Sequence, residues 1–145
     1  MFSKKLSIIW IVFALIGFVD ALYLTVGHYQ GEISCSVIQG CDVVLASSYA
    51  TVGPVPMALL GVGYYLSMLL GMIFVLDRQS QKVGRLLTYI SVVGFVYSLW
   101  LLYLQWGIIE AFCQYCLISA GSSTALFILG VTALINKSKA SATNP

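Results

Sequence analysis

The chain alternates between long apolar runs and short polar segments. Four apolar runs stand out, at Leu6–Gly27, Met57–Leu76, Leu86–Trp106 and Phe112–Ile135. Each is close to the roughly 20 residues that a helix needs to cross the hydrocarbon of a bilayer. The pattern predicts an all-α membrane protein built as a four-transmembrane-helix bundle over residues 1–136, followed by a polar, flexible tail at residues 137–145.

The connection between the first two runs, residues 30–56, is much longer than the others. Loops beyond roughly 12–15 residues usually serve as lids or binding segments, or are disordered. Its apolar residues argue against disorder, and Cys41–Ser47 is compatible with a short helix. We therefore expect this outer loop to fold down as a cap over the helix mouths and the active site.

Composition and charge placement support a membrane location. The chain is 60% hydrophobic and only 8% charged, which excludes an ordinary water-soluble core. The seven lysine and arginine residues precede the first run, separate the second from the third, or follow the fourth: Lys4, Lys5, Arg78, Lys82, Arg85, Lys137 and Lys139. Because cations mark the cytoplasmic side, both termini are predicted to be cytoplasmic, in a bacterial or archaeal plasma membrane. Lipid is the expected surrounding, and no basic aromatic surface indicates nucleic acid.

Two cysteines three residues apart, Cys113 and Cys116, open the fourth run. Residues at this spacing share one face of a helix, so their sulfurs can form or open a local disulfide. A helix N-terminus stabilises thiolate over thiol and can lower a cysteine pKa to roughly 3.5–7.5. Small cysteines can also simply pack in a membrane helix, but this pair at a helix start favours a redox function.

The other two cysteines, Cys35 and Cys41, lie in the outer loop, so the topology puts all four on the oxidising side of the membrane. An even cysteine count there indicates disulfide pairing. A ring as small as the one that Cys35 and Cys41 would close adds little stability. An exchangeable bond, attacked by a thiolate at Cys113 through a mixed disulfide, explains the pair better than a permanent one.

One carboxylate, Asp20, interrupts the first run. An ionisable residue at membrane depth usually turns toward the bundle interior and marks a functional site. The alternative is structural, because Asp20 lies close enough to the outer surface to reach water or a neighbouring polar group. The single histidine, His28, is expected at the interface without a catalytic role.

Taken together, these motifs resemble the vitamin K epoxide reductase family, in a bacterial-type form without a fused thioredoxin-like domain. The resemblance rests on Cys35, Cys41, Ser47, the segment Gly53-Pro54-Val55-Pro56 and Cys113-Gln114-Tyr115-Cys116. It implies a quinone-dependent disulfide oxidoreductase that uses a quinone of the ubiquinone or menaquinone class. No metal is implied.

The resemblance also implies residue roles. Cys113 and Cys116 would form the redox centre, with Cys116 nearer the quinone, and the Ser47 hydroxyl would bond a quinone carbonyl. Cys35 and Cys41 would relay electrons from a separate thioredoxin-fold, DsbA-like protein outside the cytoplasm. The resting pairing of the cysteines, and which loop cysteine attacks Cys113, stay open.

Two positions depart from the vertebrate members. Ala120 stands where they have a tyrosine, and Met57 where they have an asparagine. In the vertebrate members those positions help hold vitamin K, so whether vitamin K epoxide is a substrate stays open.

Three other interpretations fit parts of the pattern. A DsbB-type quinone reductase also combines four helices, two cysteine pairs and a quinone, but its Cys-x-x-Cys lies in the first outer loop. A small tetraspan scaffold with permanent disulfides would be no enzyme. A four-cysteine zinc site ranks last, because oxidation on the outer side competes with thiolate ligation. Ser47 could equally be the N-cap of a short helix.

Overall fold

The computed structural model describes residues 2–31, 43, 46–48 and 51–143. Most of them lie in four α-helices: α1 Lys4–Gln30, α2 Met57–Arg78, α3 Gln81–Tyr103 and α4 Gln114–Thr143. At the end of α3 the chain continues into a π-helical segment, Leu104–Ile109. Two short antiparallel strands, β1 Thr51–Val52 and β2 Val55–Pro56, lead into α2.

All four helices have the length and apolar character of membrane spans. Their most apolar 18-residue windows have mean hydropathies of 2.2 for α1, 2.1 for α2, 1.7 for α3 with its π-helical extension, and 1.8 for α4. The predicted all-α, four-helix membrane fold is therefore confirmed, and the chain is an integral, multi-pass membrane protein.

The helix ends differ from the predicted spans because capping and helix propensity, rather than hydropathy, decide where a helix stops. α3 begins at Gln81, five residues before the predicted span, where the Ser80 hydroxyl accepts a hydrogen bond from Val83 N–H at 3.5 Å. α4 begins at Gln114 instead of residue 112 and continues to Thr143. The tail predicted from residue 137 is thus helical through Thr143, since its lysines and alanines are good helix formers.

The outer loop is described only in part. α1 ends at Gln30, and Gly31 adopts a left-handed conformation with φ 74° that closes the helix. Val43 and Ala46 have helical backbone, within the predicted Cys41–Ser47 helix. Both loop cysteines and the rest of that stretch lie outside the described residues. Gly53, with φ 62°, forms the turn between the two strands.

The four helices pack in a ring. α1 contacts α2 and α4, and α3 contacts the same two helices. The interior holds large side chains that are fully buried, among them Trp10, Met68, Met72 and Leu126. Because lipid tails are as apolar as these side chains, close packing rather than water exclusion holds such a bundle together.

The tightest helix crossing brings Gly17 of α1 against the aromatic ring of Tyr65 in α2. A Cβ atom at Gly17 would overlap that ring. Tyr65 is only 2% exposed, and its hydroxyl donates a hydrogen bond to the Ser119 carbonyl of α4 at 2.6 Å. One glycine therefore sets the approach of α1 to α2, and the tyrosine then ties both to α4.

We expect Gly17→Ala to lower the free energy of unfolding by about 1–3 kcal/mol, the usual cost of overpacking a filled core. The Tyr65 ring is buried and hydrogen-bonded, so it cannot move aside without losing contacts. Gly63→Ala in α2 is the matched control, since a methyl group at that position would meet nothing within 4 Å. Unfolding of both variants in detergent, followed by circular dichroism, measures the effect, and equal stability of the two would contradict the packing argument.

Candidate functional site at the start of α4

Cys113 lies directly before α4, and Cys116 lies in its first turn. Cys113 immediately precedes the helix, and its carbonyl accepts the first helical hydrogen bond, from Leu117 N–H at 3.0 Å. It therefore occupies the N-cap position. Its sulfur accepts hydrogen bonds from the backbone N–H groups of Tyr115 and Cys116. A cysteine sulfur thus takes the place that a serine or aspartate oxygen has in most N-caps.

A glutamine from the preceding segment holds the backbone of Cys113. The Gln105 side-chain carbonyl oxygen, Oε1, accepts a hydrogen bond from Cys113 N–H at 3.1 Å. Gln105 is 3% exposed and belongs to the π-helical segment Leu104–Ile109. Glu110, with φ 56°, then reverses the chain toward α4. π-Helical turns are rare and frequently lie at functional sites. This one places the Gln105 side chain within hydrogen-bond distance of the Cys113 backbone.

The electrostatic surroundings of Cys113 favour its thiolate. A hydrogen bond from the Cys116 side chain, helped by the backbone N–H groups of Cys116 and Tyr115, lowers the pKa of Cys113 to about 7, although burial opposes the shift. Hydrogen bonds to the charged form lower a pKa in this way. Near neutral pH a substantial fraction of Cys113 is therefore nucleophilic thiolate, as the sequence predicted from the helix start.

A cavity of about 260 Å³ opens beside the cysteine pair, between α1, α2, α3 and the first turns of α4. Its wall is mainly apolar. A few polar side chains reach it, including His28, Ser47, Tyr64, Gln105, Cys116 and Ser123. A mostly apolar pocket with a few convergent polar groups is typical of a site for a small organic molecule.

The two cysteines differ in whether they line this cavity. Cys116 is partly exposed and forms part of the cavity wall. Cys113 is 0% exposed and packs against Ile109, Ala111 and Tyr115, outside the lining. Only one sulfur of the pair is thus presented to a molecule in the cavity.

Of the remaining predicted site residues, the structure describes only Ser47. It is half-buried and lines the cavity, whereas its neighbour Ser48 is exposed. Cys35 and Cys41 lie outside the described residues. The structure therefore brings Ser47 and Cys116 to one cavity, with Cys113 adjacent to Cys116.

Several polar residues of the site are not among the predicted site residues. For Tyr64 and Tyr65 the sequence allows either a place in a pocket wall or ordinary packing. Tyr64 lines the cavity and shares a 3.4 Å hydrogen bond with Ser123 of α4. Tyr65 bonds Ser119, one helical turn beyond Cys116. A tyrosine within a membrane helix is usually packed with its hydroxyl satisfied, and this describes Tyr65. The signal available for Gln105 was an amide side chain at the outer end of a run whose other polar residues carry hydroxyl groups.

The positions that depart from the vertebrate pattern also belong to this cavity. Both Ala120 and Met57 line it, and the Met57 sulfur accepts a hydrogen bond from the Tyr97 hydroxyl. At these two positions the cavity wall presents a methyl group and a thioether.

The comparison with known proteins identifies the family of the chain. A search of curated proteins gives no match. The family model described as the vitamin K epoxide reductase family matches residues 8–131, which include the second and third apolar runs, most of the first and fourth, the outer loop and both cysteine pairs. Proteins of this family are membrane oxidoreductases that link thiol–disulfide chemistry to quinones. Because the match spans most of its length, the chain belongs to the vitamin K epoxide reductase family.

Proposed function

We propose that the protein is a membrane thiol–quinone oxidoreductase that generates disulfides outside the cytoplasm. The observation that carries this proposal is the cysteine pair at the start of α4. One sulfur, at Cys113, is an N-cap with a pKa of about 7, and the other, at Cys116, forms part of the wall of an apolar cavity. A nucleophilic thiol is thereby coupled to a partner thiol that faces a small-molecule site.

The cavity suits the ring of a quinone. Such a ring is flat and largely apolar, with two carbonyl oxygens that accept hydrogen bonds. The lining supplies apolar walls and hydroxyl donors at Ser47, Tyr64 and Ser123. In the proposed reaction the quinone supplies the two-electron acceptor, and the protein supplies proximity and thiolate activation. A quinone of the ubiquinone or menaquinone class fits this chemistry.

The departures at Ala120 and Met57 restrict the substrate. Both side chains line the cavity, and neither offers the hydroxyl or amide donor found at these positions in the vertebrate members. The remaining donors can bind quinone carbonyls. We therefore propose quinone reduction as the activity of this protein.

The thiol half of the reaction uses the outer loop. A reduced thioredoxin-fold, DsbA-like protein would pass its electrons to a Cys35–Cys41 disulfide by thiol exchange, leaving its own cysteines oxidised. One of the reduced loop thiols would then reduce a Cys113–Cys116 disulfide through a mixed disulfide with Cys113. The position of Cys113 outside the cavity supports this order, because the sulfur that exchanges with protein thiols is not the one that faces the quinone.

The distribution of cations supports the orientation. All lysines and arginines lie at one end of the bundle if the chain crosses four times, and none occurs in residues 30–56 or 107–111. Both termini would then be cytoplasmic and all four cysteines extracytoplasmic, in a bacterial or archaeal plasma membrane. Disulfides persist on that side.

Two rivals make different demands on the site. A DsbB-type reductase would carry its Cys-x-x-Cys in the first outer loop, whereas here that spacing spans the start of α4. A disulfide-stapled scaffold would gain nothing from a cysteine whose thiolate is stabilised beside a cavity. The position of the Cys-x-x-Cys spacing thus favours the proposed enzyme over a DsbB-type reductase, and the stabilised thiolate favours an enzyme over a scaffold.

Quinone-coupled turnover tests the function directly. Purified protein with a quinone and a reduced thioredoxin-fold carrier should consume thiols, and Cys116→Ala should abolish this, because no sulfur of the pair then remains in the cavity wall. Thr132→Ala is the control and should keep full activity, since the Thr132 hydroxyl donates to the Ile128 carbonyl of its own helix, far from the pair. An unchanged rate in Cys116→Ala would defeat the assignment.

The two roles considered for Ser47 can be separated. If its hydroxyl bonds a quinone carbonyl, Ser47→Ala should raise the KM for quinone about 3- to 10-fold, which corresponds to one hydrogen bond of about 0.5–1.5 kcal/mol. Ser48→Ala, at the exposed neighbouring position, should leave KM unchanged. Lower thermal stability in Ser47→Ala with an unaltered KM would instead identify Ser47 as a helix cap.

The reactivity of Cys113 should follow pH. Its pKa of about 7 lies below that of an ordinary cysteine. Burial lowers the rate at which iodoacetamide alkylates Cys113 at every pH, but the midpoint of the pH profile should lie near 7 and the rate should decline below it. Cys116→Ala removes the hydrogen bond that contributes most to this shift and should move the profile to higher pH. Mass spectrometry of the modified peptide measures both profiles, and coincident curves would contradict the role of Cys116.

A further inference from the structure

Asp20 of α1 is a carboxyl group inside the bundle. It is 7% exposed, and its Oδ2 atom has no hydrogen-bond partner among the described residues. Within that part of the chain the single ion pair joins Asp77 and Arg78 at the surface. A buried carboxyl without a cation or a full set of hydrogen bonds is costly in a membrane, so its position requires an explanation beyond packing.

The helix face that carries Asp20 is directed toward the cysteine pair. One turn earlier, Gly17 lies against the Tyr65 ring. One turn later, the Tyr23 ring lies 5.0 Å from the ring of Tyr115, which sits between the two cysteines in sequence. Residues three apart share a helix face. Asp20 therefore lies between these two contacts, opposite the first turn of α4.

Asp20 is also close enough to the site to act on it electrostatically. Negative charge on Asp20 repels negative charge on Cys113 and on Cys116. It acts on the Tyr65 hydroxyl in the same way. These are the titratable groups that face it from the start of α4 and from α2. On α1 itself, Tyr23 is one turn away and His28 two turns away, the latter at the cavity.

The proposed reaction requires a base that accepts a proton from the cysteine pair. The Cys116 side chain donates a hydrogen bond to the Cys113 sulfur, so the pair begins as one thiolate and one thiol. Closing the disulfide breaks the Cys116 S–H bond, and its proton needs an acceptor. Tyr65 already donates its own proton to the Ser119 carbonyl. On α1 it is the charge of Asp20 that acts on both sulfurs.

We propose that Asp20 accepts the Cys116 proton when the Cys113–Cys116 disulfide forms. The proposal rests on the proposed function for its electron acceptor. The Cys113 thiolate and the Cys116 thiol join in an S–S bond, and their two electrons pass to the quinone. The Cys116 proton moves to the Asp20 carboxylate and from there to the aqueous phase. The reduced quinone takes up two protons from the aqueous phase, which balance the one from Cys116 and the one that Cys113 released earlier.

The test uses the full-length chain in a Cys35→Ala/Cys41→Ala background, so that only the α4 pair reacts. The reduced protein is oxidised by diamide, which takes up both electrons and both protons and makes the assay independent of quinone. Disulfide formation is followed by a gel shift with a thiol-reactive tag across the neutral and alkaline pH range. Asp20→Asn, of equal size but unable to accept the proton, should slow the reaction about 10²-fold at neutral pH.

The pH profile separates proton transfer from a structural effect. In Asp20→Asn the deficit should shrink as the pH rises, because hydroxide replaces the missing carboxylate. A deficit that is constant with pH, or no deficit, would overturn the proposal. Asp20→Glu restores a carboxylate and should keep the wild-type profile within about tenfold in rate. If Asp20→Asn does not fold, Asp20→Glu serves as the test variant. An Asp20→Glu rate that rises only with the hydroxide concentration would also refute proton acceptance by the carboxylate.

The matched control is Thr25→Val. Thr25 is another polar residue of α1 with the same 7% exposure, and its hydroxyl donates to the Ala21 carbonyl of its own helix. The variant should oxidise at the wild-type rate at every pH. If the Asp20→Asn defect appears with diamide while the wild type fails to reduce quinone, the proposed function is wrong and the role of Asp20 stands.

Discussion

The start of α4 imposes the constraint on which the rest of the site depends. A helix start leaves N–H groups without partners inside the helix, and each one that stays unsatisfied costs free energy. The Cys113 sulfur accepts two of these N–H groups, and Gln105 accepts the N–H of Cys113 itself. The two N–H groups that cap the helix also stabilise the thiolate, in addition to the larger effect of the Cys116 side chain. Helix capping and cysteine activation thus share two hydrogen bonds.

The π-helical segment follows from this constraint. A regular α-helical end to α3 would turn the residue at position 105 to a different side, because each π-turn adds a residue to the helical repeat. The segment Leu104–Ile109 and the left-handed Glu110 bring the glutamine and the cysteine, eight residues apart, within 3.1 Å. The backbone irregularity therefore lies beside the reactive group it positions.

The sequence was sufficient for the parts of the structure that depend on run length and spacing. Apolar runs of about 20 residues predicted the four helices, and the spacing of Cys113 and Cys116 at a helix start predicted a lowered thiol pKa. It was insufficient where a tertiary contact decides. Whether Cys113 caps the helix or lies inside it depends on a one-residue shift, which hydropathy does not register. Gln105 could not be paired with Cys113 without the π-helical turn between them.

Because the two cysteines occupy different positions relative to the cavity, the two partners of the proposed reaction need not compete for one sulfur. A thiol protein and a quinone that met at the same sulfur would compete for it, and one would have to leave before the other reacted. With Cys116 in the cavity wall and Cys113 buried outside it, each partner has its own sulfur, and electrons cross between them only by opening or closing the S–S bond.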